Sequence, residues 1–143
     1  MTESKYLAGK VVRCSLPVIT GRPGPEAPAL KRLLLPQGEL AQIHDSDEGI
    51  RYLAVLETRA GSVRGDHYHK TKVEQVYVTQ GKLLVLVQDI QTNERASVPL
   101  ETGDMLLIQT GVAHTLQTIE PGQAIEFSHT RFNAADTFPF HVG

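Results

Sequence analysis

An all-β sandwich or small barrel is the fold class this sequence predicts, and three observations predict it. Short runs rich in β-branched and large apolar residues follow one another along the chain, each closes on a turn signal, and no convincing amphipathic helix stands between them. The length, 143 residues, suits one domain with a real core. The expected organisation of residues 1–143 is an N-terminal arm at 1–29, a β-barrel core at 30–132 and a C-terminal tail at 133–143.

The elements follow in order. ITGRPGPEAP (19–28) places two glycines and three prolines in ten positions, which excludes helix and inner strand, so it reads as a loop or arm. Strands are then expected at LKRLLL before Pro36-Gln37-Gly38, ELAQIH before DSDEG, RYLAVLETR before Ala60-Gly61, and VEQVYVT before Gln80-Gly81. They continue with KLLVLVQDI before QTNE, ASVPL before Glu101-Thr102-Gly103, and DMLLIQ before Thr110-Gly111. HTLQTI before Glu120-Pro121-Gly122 and AIEFSHTRF complete the set. The tail, NAADTFPFHVG, carries two phenylalanines around a proline and is expected to pack on the sandwich.

Composition narrows the function. The chain is 41% hydrophobic and 21% charged with net charge −2, a balance that supports neither a nucleic-acid nor a membrane-surface partner. MTESKYLAGK lacks the basic start and apolar run of a secretory signal, and LLL (33–35) and LLVLV (83–87) are too short to span a bilayer, so a cytoplasmic protein is expected. Cys14 stands alone and reads as a small apolar filler.

The chemistry concentrates in GSVRGDHYHKTKVEQVYVTQG, residues 61–81. Gly61, His67, His69, Glu74 and Gly81 stand at fixed spacings, and a second set follows at Gly103, Thr110, Gly111 and His114. Alternate residues of a strand share a face, so His67 and His69 point the same way and Glu74 joins them from the next strand. Two imidazoles and a carboxylate, with His114 brought in by the second hairpin, make a ligand set for a divalent ion. In the last strand Ile125, Phe127 and His129 share parity, with Glu126, Ser128 and Thr130 on the other side. If Ile125 and Phe127 face the core, His129 does too, as an extra ligand or as the acid or base beside the metal. Candidate ligands are therefore His67, His69, Glu74, His114 and His129, with Glu74 and His129 also the candidate catalytic acid–base residues. His44 and His141 are weaker candidates.

The two spaced sets are the two motifs of the cupin superfamily, which the chain resembles over about residues 50–118, with Gln109 where proline is common and Thr118 where asparagine often stands. The resemblance implies a jelly-roll β-sandwich, usually dimeric, with a divalent metal, zinc first and iron, nickel or manganese as alternatives, inside the barrel. Many activities share this fold, so function has to come from the pocket. VRGDHYHK, with PQGELAQI upstream, is similar to sugar-nucleotide 3,5-epimerases and ketoisomerases, although those epimerases lack the second histidine and use no metal. Length, the HYH motif and a C-terminal strand of Phe and His also resemble the single-domain cupin cyclases of aromatic polyketide pathways, the resistomycin cyclase type.

The inward candidates Val76, Val78, Leu84, Leu86, Met105, Leu107, Leu116, Ile125 and Phe127 suit an apolar, flat substrate. The leading expectation is thus a metal-dependent polyketide cyclase of antibiotic biosynthesis, closing a ring by aldol chemistry on a small apolar or aromatic substrate. A sugar-nucleotide epimerase or ketoisomerase comes second and a metal-dependent dioxygenase third. A homodimer is expected, with the 19–28 arm and LKRLLL covering a partner's sheet edge.

Overall fold

The computed structural model describes residues 2–142, and among them twelve strands form two sheets. They are β1 (Thr2–Tyr6), β2 (Val11–Ser15), β3 (Val18–Thr20), β4 (Lys31–Leu35), β5 (Gly38–Gln42), β6 (Tyr52–Thr58), β7 (Val63–Tyr68), β8 (Glu74–Asp89), β9 (Arg95–Glu101), β10 (Asp104–Ile108), β11 (Val112–Ser128) and β12 (Phe138–Pro139). The fold is all-β, a cupin jelly roll.

Its frame is the pair β8 and β11, each of which joins two segments read from the sequence as separate strands. Gly81 and Pro121-Gly122 read as turns; they are instead the corner where both strands bend while staying paired. Register shifts between Thr118 and Ala124 mark the bend. A Cβ on Gly122 would stand 1.9 Å from the Gln80 carbonyl oxygen, and one on Gly81, whose φ is +100°, would stand 2.7 Å from that of Glu120. Only glycine lets two backbones approach so closely.

The bend makes two leaves. In one, the first half of β11 lies between β7 and the second half of β8, with β9 beyond. In the other, the second half of β11 lies between β6 and the first half of β8, followed by β10, β2 and β1. Val76 and Val78 of one leaf pack with Val85, Val87, Leu106 and Leu116 in the core between them. Each such side chain contributes about 1.5–3 kcal/mol by leaving water.

The arm expected at 1–29 carries three strands. β1 and β2 form an antiparallel hairpin whose second strand extends the sheet through β10, and β3 pairs in parallel with β4. TESKY and VVRCS mix polar and apolar residues without clean alternation, which hid them. The small sheet β3-β4-β5 covers the back of the second leaf, where Tyr77, Met105 and Phe127 meet Leu30, Ala41 and Ile43. That covered back reverses the parity argument for the last strand. Ile125 and Phe127 face the small sheet, while Ala124 and Glu126 face between the leaves.

Candidate active site

The three motif histidines meet inside the barrel. His67 and His69 come from the end of β7 and the residue after it, and His114 from the start of β11; their ring centroids lie 4.8 to 5.6 Å apart. One ring nitrogen from each falls within 4.8 Å of the others. A bulge in β7 shapes this cluster. His67 pairs with His114 but Gly65 with Thr115, which leaves Asp66 as the extra residue at φ +59°. One inserted residue reverses parity, so Arg64, opposite Leu116, shares the inner face with His67. Gly65 fits because a Cβ there would lie 2.5 Å from the His114 carbonyl oxygen.

The ring orientations are fixed from behind. His69 Nδ1 donates to the Asp136 carbonyl at 2.7 Å and His114 Nδ1 to that of Val112 at 3.1 Å, so in each neutral ring Nε2 carries the lone pair. Gly111 N donates to the His69 carbonyl at 2.8 Å, tying the two motifs together. Both Nε2 atoms are buried without a hydrogen-bond partner. Glu74 Oε2 is 3.0 Å from His114 Nε2 but out of line for a hydrogen bond, and Oε1 is 3.9 Å from His69 Nε2. Three converging imidazoles, two with orphaned lone pairs, beside a buried carboxylate fit a divalent cation.

Lys72 is 5% exposed and lies between two carboxylates, 2.9 Å from Glu126 and 3.4 Å from Glu74, with its ammonium 4.2 Å from the centre of the Tyr52 ring. Burial alone would lower the Lys72 pKa, but Glu74 and Glu126 raise it. Burial works to raise that of Glu74, yet His114 and Lys72 hold it well below the ordinary range. Glu126 is pushed up, by burial first and then by Glu74. Burial and the neighbouring imidazoles push His67 down to about 4, so it is neutral at pH 7. His114 is raised, because Glu74 outweighs the opposing effect of burial.

The cavity around these groups measures about 540 Å³. Of the apolar residues expected to line it, only Leu116 does; Tyr52, Leu56 and Phe132 supply further apolar wall, and Arg64, Lys72, Glu74, Glu126 and the histidines set charged and hydrogen-bonding groups into it. Val76 and Val78 are sealed in the core, and Met105, Ile125 and Phe127 lie under the small sheet. His129 is corrected for the same reason. Its side chain is 39% exposed, 3.5 Å from Glu48, outside the imidazole cluster and the cavity wall. His141 is exposed beside Asp66, and His44 packs edge-on against Phe127. Glu126 and Asp136 were missed. The parity of Glu126 with Ala124 was the available signal for the first; nothing local marks the second.

Residues 36–138 match the polysaccharide biosynthesis C-terminal domain family. The chain belongs to that family. No curated protein matches it. Among solved structures it is similar to a dTDP-4-dehydrorhamnose 3,5-epimerase from Sulfolobus tokodaii, at 18% identity and TM-score 0.73 over 96% of this chain and 81% of that one. It is similar to a 3,4-ketoisomerase from Helicobacter canadensis, at 14% identity and TM-score 0.68 over 77% and 86%. The Staphylococcus aureus capsular polysaccharide assembling protein CapF matches at 22% identity and TM-score 0.58, over 63% of this chain and 26% of that one. These likenesses are of fold. With the family match they overturn the polyketide cyclase expectation and the aromatic substrate that came with it. No helix among the described residues is long and apolar enough to cross a membrane.

Proposed function

We propose that this protein is an isomerase acting on a keto-sugar carried by a nucleotide, moving a proton at a carbon beside the sugar carbonyl as an epimerase or ketoisomerase does. The observation that carries the reading is the set of charged and hydrogen-bonding side chains, Lys72, Glu74, Glu126 and the three histidines, gathered at one part of an otherwise apolar cavity wall. Sugar hydroxyls are recognised by such donors and acceptors, and Arg64 supplies positive charge for phosphate oxygens. Membership of a polysaccharide biosynthesis family supports the same substrate class.

His67, His69 and His114, with Glu74, would hold a divalent metal, zinc first for three imidazoles. When bound it supplies Lewis-acid polarisation of an oxygen, which acidifies the neighbouring C–H. Glu126 is the acid–base group. Its carboxylate lines the cavity, and its raised pKa places proton uptake and release closer to neutral pH than an ordinary carboxylate allows. Lys72, 2.9 Å away, orients that carboxylate. Tyr52, Leu56 and Leu116 limit water at the reacting carbon.

The test is solvent exchange. A nucleoside-diphosphate keto-hexose is incubated with the protein in heavy water, with zinc and separately with iron, nickel or manganese, and deuterium is located by NMR and mass spectrometry. Label beside the carbonyl, lost in Glu126→Gln, is expected. Exchange no faster than in protein-free controls under every metal condition defeats the reading.

A further inference from the structure

The segment after β11 makes a short 3-10 turn, Ala134–Asp136, and buries Asp136 against the connector between β7 and β8. One oxygen of its carboxylate accepts from Lys70 N at 2.8 Å, the other from Lys72 N at 3.0 Å, and Thr71 N lies 3.1 and 3.2 Å from the two. Three successive N–H groups turned onto one buried carboxylate form an anion-holding nest, here filled by the protein's own side chain. The backbone carbonyl of the same residue accepts from His69 Nδ1.

We propose that Asp136 is a positioning residue for the metal-binding imidazoles: by gathering the N–H groups of Lys70, Thr71 and Lys72, it fixes the carbonyl that keeps His69 Nε2 turned into the cavity. This rests on the metal reading above. The connector carries His69 at its start and Lys72 near its end, and leads directly into Glu74, so one carboxylate sets three cavity residues at once. The segment is anchored separately where β12 pairs with β7, Phe138 stacks on Tyr68 at 5.3 Å and Phe140 N donates to the Asp66 carbonyl at 2.8 Å. Those contacts bypass the Asp136 carboxylate and provide the control.

The experiment titrates the chelator-treated protein with cobalt(II), following the visible bands of the bound ion, alongside apo-protein Tm. Asp136→Ala is expected to weaken cobalt binding about 10–100-fold, the range for losing a group that orients a histidine ligand. Asp136→Asn, which keeps one acceptor oxygen, falls between Asp136→Ala and wild type. Phe138→Ala lowers Tm and leaves cobalt affinity unchanged. Wild-type affinity in Asp136→Ala, or equal affinity losses in Asp136→Ala and Phe138→Ala, overturns the positioning role. If Asp136→Ala does not fold, wild-type affinity in Asp136→Asn overturns it. A wild-type protein that takes up no cobalt, zinc or nickel defeats the metal reading itself, an outcome distinct from the others.

Discussion

Lys72→Met tests the electrostatics of the cavity. The substitution keeps most of the volume and removes the ammonium that stands 2.9 Å from Glu126 and 3.4 Å from Glu74. Glu74 is then left buried beside a second carboxylate, and breaking a buried ion pair from one side costs about 3–5 kcal/mol. Unfolding entropy of about 2.1 cal/mol/K per residue over 143 residues gives about 0.3 kcal/mol/K. The expected fall in Tm is therefore about 10–17 °C, measured by calorimetry on chelator-treated protein at pH 7. Glu126→Gln in the same chain removes the repulsion and restores a large part of that loss, so the pair is non-additive in a double-mutant cycle. A Lys72→Met protein that melts within a degree or two of wild type, or additive effects of the two substitutions, refutes the picture of one cation holding two carboxylates.

Other outcomes follow from the same geometry. Gly122→Ala places a Cβ against the Gln80 backbone, which costs at least about 3 kcal/mol as overpacking and is read as loss of the folded fraction in urea titration. His114→Ala is expected to leave no tightly bound zinc by elemental analysis, because it removes a central imidazole of the cluster; one zinc per chain in that variant refutes the ligand assignment. Asp89 has its pKa lowered first by the Lys10 ammonium, 2.6 Å away. A lowered carboxylate stabilises the fold above its unfolded pKa, about 3.9, and loses that contribution as pH falls through the folded value, so Asp89→Asn flattens the acid side of the stability profile below about pH 4. An unchanged slope there refutes the pairing.

The parts that were legible in the sequence were those with local causes. The strand runs, the motif spacings and the shared face of His67 and His69 depend on neighbours within a strand or hairpin, and periodicity exposes them. The long strands β8 and β11 were hidden because a glycine that ends a strand and a glycine that bends one look alike; only the approach of Gln80 to Gly122 distinguishes them. The last strand misled for a different reason. Phe127 is buried on the back of its leaf by the small sheet, so apolar parity chose the wrong face and put His129 forward in place of Glu126. The Gly65-Asp66 bulge swung Arg64 to the inner side by the same kind of one-residue reversal. Asp136 acts on residues more than sixty positions earlier, beyond any local pattern.

The pairing of β2 with β10 has a kinetic meaning. Val12 lies beside Leu107 and Val11 beside Ile108, so the sheet joins early and late parts of the chain. Proteins whose contacts span such sequence distances fold in milliseconds to seconds, because loop-closure entropy is lost before the pairing repays it. During that interval strand β6, with Leu53 and Val55 each 64% exposed even in the finished fold, is an unprotected ribbon edge. Refolding yield should therefore fall as protein concentration rises, with β6 the segment through which chains first adhere.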